Sequence, residues 1–92
     1  MRPTNQMNTT QAESTYNGWK NRQTWNVALW IGNDEPLYRA AVDFMRSYTG
    51  KRPYSAFIQR MGMADERTPD RISYSGTKLD RVALNEMMRE LL

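Results

Sequence analysis

Tyr16, Trp19, Lys20 and Arg22 bring two aromatic rings and two cations close together in the segment Tyr-Asn-Gly-Trp-Lys-Asn-Arg. An aromatic plane beside cations can stack a nucleic-acid base while holding its phosphate. The same residue types also dominate the hot spots of protein interfaces. A third reading needs no ligand: a chain this short buries only about two thirds of the surface its unfolded form exposes, so Tyr16 and Trp19 are equally suited to folding back over a helix and closing a core.

Other residues with chemical capability are fewer. Asp34-Glu35 and Asp65-Glu66 are adjacent carboxylate pairs of a kind that acid–base catalysis uses. Asp34 and Glu35 stand where a helix dipole favours negative charge, and Asp65 and Glu66 fall in a polar stretch that gives no desolvation. The sequence has no histidine and no cysteine, so the usual base near neutral pH, the thiolate nucleophile and the commonest soft metal ligands are missing together. The segment Ala-Asp-Glu-Arg-Thr-Pro-Asp lacks the alternating oxygen ligands and sharp-turn glycine of a calcium loop. The five glycines are isolated from one another and form no phosphate-binding loop. No catalytic, cofactor-binding or metal-binding residue is expected, and the chain reads as a non-enzyme.

The elements that must position Trp19 and its neighbours are mainly helical. Asn21 is a good N-cap and Gly32-Asn33 a good stop, which favours a helix over the intervening apolar run. Apolar residues on nearly every side of it predict a helix at the centre of the domain, with Trp25 and Trp30 turned inward. Asn26 interrupts that run, and a buried amide needs partners, here expected to be a neighbouring loop backbone.

Next, Leu37, Ala40, Ala41, Phe44, Met45 and Tyr48 fall on one face after an Asn33 or Asp34 cap, with Pro36 in the first turn. Arg39, Asp43 and Arg46 line the opposite, solvated face. Pro53 and Tyr54 open a shorter helix whose stripe is Tyr54, Phe57, Ile58 and Met61, closed by Gly62. Ile72-Ser73-Tyr74 alternates as a minimal strand or hairpin would. Asp80 then caps a last helix, with Leu79 and Leu84 as a hydrophobic staple and Leu84, Met87, Met88 and Leu91 as its buried stripe. The methionines near these helices are read as core filling.

The expected architecture is a mainly α, small helical domain of about four helices over residues 16–92, with a minimal β hairpin before the last helix. Residues 1–15 have no apolar period and no aromatic residue, and are read as a disordered polar tail. Nothing approaches the roughly 20 apolar residues of a membrane span or the pattern of a secretory signal, so no membrane association and an intracellular, cytoplasmic location are expected. The net charge of +3 is small and the longest basic run is Lys51-Arg52, thinner than the basic stripe of a dedicated nucleic-acid binder.

The strings Asn-Gly-Trp-Lys-Asn-Arg-Gln-Thr-Trp-Asn-Val-Ala-Leu-Trp-Ile-Gly-Asn-Asp-Glu-Pro-Leu-Tyr and Thr-Pro-Asp-Arg-Ile-Ser-Tyr-Ser-Gly-Thr-Lys-Leu-Asp-Arg-Val-Ala-Leu-Asn-Glu-Met-Met resemble an uncharacterised family of small proteins. That family is found in phages, plasmids and some bacterial and archaeal genomes. In its pattern an aromatic residue and a glutamate usually stand at the positions of Arg22 and Gln23, and a glycine is common at Arg71, so this chain has the more basic surface. The resemblance carries no catalytic residue across. It implies a mobile-element setting, in which small proteins often bind a host machine, as a host-takeover or anti-defence inhibitor does. The leading expectation is a non-enzymatic module that binds a host protein through Tyr16, Trp19, Lys20 and Arg22; the alternative is a weak nucleic-acid binder using the same residues.

Overall fold

The computed structural model describes residues 16–92; the expected tail at 1–15 lies outside the described residues. Four helices follow in order: α1 Arg22–Asn33, α2 Glu35–Ser47, α3 Pro53–Arg60 and α4 Arg81–Arg89. Their starts follow the capping chemistry of the sequence. Asn21, Asp34 and Asp80 each occupy an N-cap with extended backbone, and their side chains accept hydrogen bonds from the amides of Thr24, Leu37 and Ala83. Each cap satisfies an amide that the first helical turn leaves without a partner.

Pro36 and Pro53 sit in first turns, where a missing N–H costs nothing. Gly62 follows α3 with φ of 68°, the left-handed geometry expected of it. Gly32 does not stop α1, which runs through it to Asn33 and passes into α2 at Asp34.

Val27, Ile31, Ala41, Phe57, Leu84 and Met88 form the heart of the core, with Leu79 and Tyr74 closing it from the long segment between α3 and α4. Each fully buried large aliphatic or aromatic side chain contributes roughly 1.5–3 kcal/mol relative to exposure. Helices α2 and α4 occupy the middle, since each packs on the other and on both remaining helices, whereas α1 and α3 do not meet. The expectation of a central α1 is therefore corrected. Its buried arc is Thr24, Val27, Ala28 and Ile31, a single stripe at helical spacing, and its other apolar residues serve other ends. Met61, expected in the core, is exposed, because the chain has already turned out of α3 at that point.

Strand structure is minimal. Arg67 and Ser73 form one antiparallel bridge, flanked by hydrogen bonds from the Thr68 amide to the Ile72 carbonyl (2.8 Å) and from the Tyr74 amide to the Glu66 carbonyl (3.1 Å). The loop so closed carries Thr68 and Asp70 to one side of α1. Tyr54, inserted from α3, donates its hydroxyl proton to the Tyr74 carbonyl and anchors the far end. Burial pushes the Tyr54 hydroxyl well above the ordinary tyrosine range, so it stays a proton donor. No helix among the described residues is long and apolar enough to cross a membrane.

Candidate functional site

The four residues expected to form a site lie at the entry to α1. Asn17 and Gly18 both have positive φ, 53° and 90°, and the Trp19 amide donates to the Tyr16 carbonyl at 2.8 Å. This is a reversing turn of the primed kind that an Asn-Gly pair favours. It folds Tyr16 back so that its ring lies 6.1 Å from that of Trp25 at a tilt of 40°. Trp19 is half-buried and packs against the core cluster. Lys20 and Arg22 are exposed beside it.

The tryptophans are thus distributed differently from the expectation. Trp19 reaches the core. Trp25 and Trp30 are only half-buried, and neither belongs to the set packed against the buried cluster. Helical geometry explains the exchange: with Thr24, Val27, Ala28 and Ile31 inward, positions 25, 29 and 32 form one flank of α1 and positions 26, 30 and 33 the other.

The second flank is a polar staple. Asn26 is completely buried. Its amide Nδ2 donates to Asp70 Oδ2 at 2.7 Å, and its Oδ1 accepts from the Thr68 hydroxyl at 2.6 Å. The same hydroxyl accepts from the amides of Asp70 (3.2 Å) and Ile72 (3.1 Å), which exhausts its capacity of one donor and two acceptors. The Trp30 indole N–H also donates to Asp70 Oδ2, at 2.9 Å. The amide of Asn26 therefore bonds loop side chains, not the loop backbone that was expected.

Thr24 repeats the arrangement two residues earlier. It is fully buried, donates to the Asn21 cap at 2.7 Å and accepts from the Asp80 amide at 2.9 Å, while Asn21 Nδ2 reaches the Lys78 carbonyl at 2.7 Å. Asn21, Thr24, Asn26 and Trp30 together tie α1 to residues 68–80. The hydrogen bonds from Asn26 and then Trp30, with the Arg22 guanidinium nearby, hold the Asp70 carboxyl below its ordinary range. Thr68 and Asp70 are the residues that sequence reasoning missed; their only signal was the Thr-Pro-Asp turn, which gives no indication of a distant partner.

The first flank is open. Trp19, Trp25, Leu29, Gly32, Met87 and Leu91 line a trough of about 270 Å³ between the N-terminal turn, α1 and the end of α4. Gly32 leaves its floor clear, since a Cβ added there meets nothing within 4 Å. Lys20 follows Trp19 in sequence, and Arg22 lies one turn before Trp25 with its guanidinium near Asp70; neither lines the trough. Neither cation takes part in an ion pair among the described residues, where both ion pairs lie on α2, Arg39 with Glu35 and Arg46 with Asp43.

Asp65 and Glu66 are exposed, and Asp34 is engaged as a helix cap. No group of three or more acidic residues among the described residues is placed to hold a metal. What the arrangement offers is a preformed apolar surface, with Lys20 exposed next to Trp19 in sequence. No curated protein and no solved structure matches the chain. A family model matches residues 12–92, a span that includes every described residue, and the chain accordingly belongs to a family of unknown function (DUF7249).

Proposed function

We propose that this protein is a non-enzymatic interaction module whose trough receives an apolar segment of a partner protein flanked by acidic residues. The observation that carries the reading is the trough itself: indole and aliphatic side chains held partly exposed on a rigid helix, with the exposed cations Lys20 and Arg22 close by in sequence. Apolar anchors seated in a preformed pocket and a charged rim that steers approach are the ordinary division of labour at a protein interface. Tyr16 and Trp19 contribute by shaping the trough, Lys20 and Arg22 by selecting the sign of what lies beside it. The mobile-element setting implied by the sequence resemblance makes a host protein the natural partner, and a host-takeover or anti-defence role is an instance of that reading.

The test is selection of binders from a displayed random-peptide library on the full chain. Recovered peptides are expected to share apolar anchors flanked by Asp or Glu. Their affinity is expected to fall by about tenfold or more in Trp25→Ala, as for a hot-spot residue, and by a few-fold in Lys20→Glu and Arg22→Glu. Peptides with no common pattern, or binding indifferent to Trp25→Ala, would overturn the proposal.

A further inference from the structure

A second concavity, sharing no lining residue with the trough, lies between the start of α1 and the loop before α4. It is a cleft of about 320 Å³ whose rim carries Arg67, Arg71 and Lys78, with Thr77 beside them and Ile72 and Leu79 below. No carboxylate lines it, and none of its three cations joins either ion pair found among the described residues. Concentrating like charge in one cleft is unfavourable for the protein alone and raises the local concentration of anions.

The rim is held in place by bonds that leave its charges available. Lys78 is fixed through its backbone, the carbonyl accepting from Asn21 Nδ2 at 2.7 Å. Arg67 donates to the Arg71 carbonyl at 3.1 Å, which uses one of its five N–H donors. Arg81 clasps the carbonyls of Ser75 and Gly76 from below, at 3.1 and 3.0 Å. The polar staple at Thr68 fixes the other end of the loop.

Arg71 adds an independent indication. Its backbone has φ of 71°, a left-handed geometry that side chains other than glycine, asparagine and aspartate seldom adopt. Its side chain is exposed and makes no hydrogen bond to the described residues, so packing does not account for an arginine at this point. The left-handed position itself closes the turn between Thr68 and Ile72, and an arginine there places its side chain out toward the cleft mouth with no packing role.

We infer that this cleft binds the phosphoryl group of a phosphate ester. Two guanidinium forks and an ammonium match the several acceptor oxygens of a phosphate better than the single charge of a carboxylate. Ile72 and the buried Leu79 give the organic part of the ester an apolar floor. The ester can be a free nucleoside monophosphate or one unit of a nucleic-acid strand; the chemistry recognised is the same.

The experiment is titration of the isotope-labelled full chain with inorganic phosphate, adenosine monophosphate and an oligothymidylate strand, followed by amide chemical shifts. Shifts are expected at Arg67, Arg71, Thr77 and Lys78. Arg71→Gln and Lys78→Gln are each expected to weaken binding by about fivefold or more, and Arg39→Gln to leave it unchanged. A monophosphate that binds as tightly as the strand supports a free ester. A strand that binds tighter, with log affinity falling linearly in log salt, supports a nucleic acid. Absence of shifts at the cleft with all three probes up to about 10 mM, a limit near 3 kcal/mol of binding, or shifts unchanged in both glutamine variants, overturns the inference. Thermal unfolding of each variant, expected within a few degrees of the parent, separates lost binding from lost folding.

Discussion

Trp25 and Trp30 stand five residues apart on one helix and do opposite work. Trp30 points its indole N–H at Asp70 and joins a network around the fully buried Asn26. Trp25 lies against Tyr16 and walls an open trough. The flank of Asn26 and Trp30 has its polar groups committed to the protein's own loop; the flank of Trp25, Leu29 and Gly32 has apolar surface left over. A half-buried tryptophan is thus informative only with its neighbours: one is a fastening, the other a surface held ready for contact.

The comparison breaks most decisively at Asn26. Asn26→Ala removes one buried and one part-buried hydrogen bond and strands the Thr68 hydroxyl, at a cost of roughly 2–3 kcal/mol. For a domain of this size that is a fall of about 10–20 °C in the midpoint of thermal unfolding, which calorimetry would read directly. Thr24→Val keeps the shape but leaves the Asp80 amide without its acceptor and loosens the Asn21 cap; about 1–2 kcal/mol is expected, by denaturant titration.

Asp70 gives the same flank a pH signature. Its carboxyl is held below the ordinary value near 3.8 by the hydrogen bonds from Asn26 and Trp30. A carboxylate depressed in the folded state binds fewer protons than the unfolded chain does. Its contribution is therefore whole above that ordinary value and is lost as pH falls through the lower, folded one. The parent should lose stability below about pH 4 more steeply than Asp70→Asn, in unfolding curves taken across that range.

On the open flank the expected losses come from apolar area, not from polar groups. Trp25→Ala removes a partly buried indole and its packing against Tyr16, and about 1–3 kcal/mol is expected, read by denaturant titration. Arg71→Gly relieves a left-handed backbone worth about 1 kcal/mol but restores freedom to the unfolded chain. The expected net gain is a few tenths, close to the resolution of a chemical melt.

Much of the frame was legible in local chemistry. The caps at Asn21, Asp34 and Asp80 and the apolar stripes of α2, α3 and α4 follow from residues within one or two turns of each other, and such patterns need no knowledge of the rest of the chain. The Asn17-Gly18 turn that folds Tyr16 back onto α1 is also local chemistry, although the elements expected from the sequence include no turn there.

The faces of α1 were not legible, because its apolar residues occur on nearly every side and only a partner decides which stripe goes inward. That partner on one flank is polar and lies 42 to 44 residues away, at Thr68 and Asp70, with no periodicity linking the two. The basic cleft was hidden for the same reason. Arg67, Arg71 and Lys78 form no run in the sequence, and the bridged loop is what assembles them.

The most direct test of the division between the two flanks is a paired measurement on Trp25→Ala and Trp30→Phe, using peptides selected on the parent chain. For each variant, affinity is read by fluorescence or calorimetric titration and stability by thermal unfolding. Trp25→Ala is predicted to lose the peptide while still folded at the titration temperature, and Trp30→Phe to keep the peptide while unfolding at a lower temperature than the parent. Peptide affinity lost in Trp30→Phe and retained in Trp25→Ala would contradict the account.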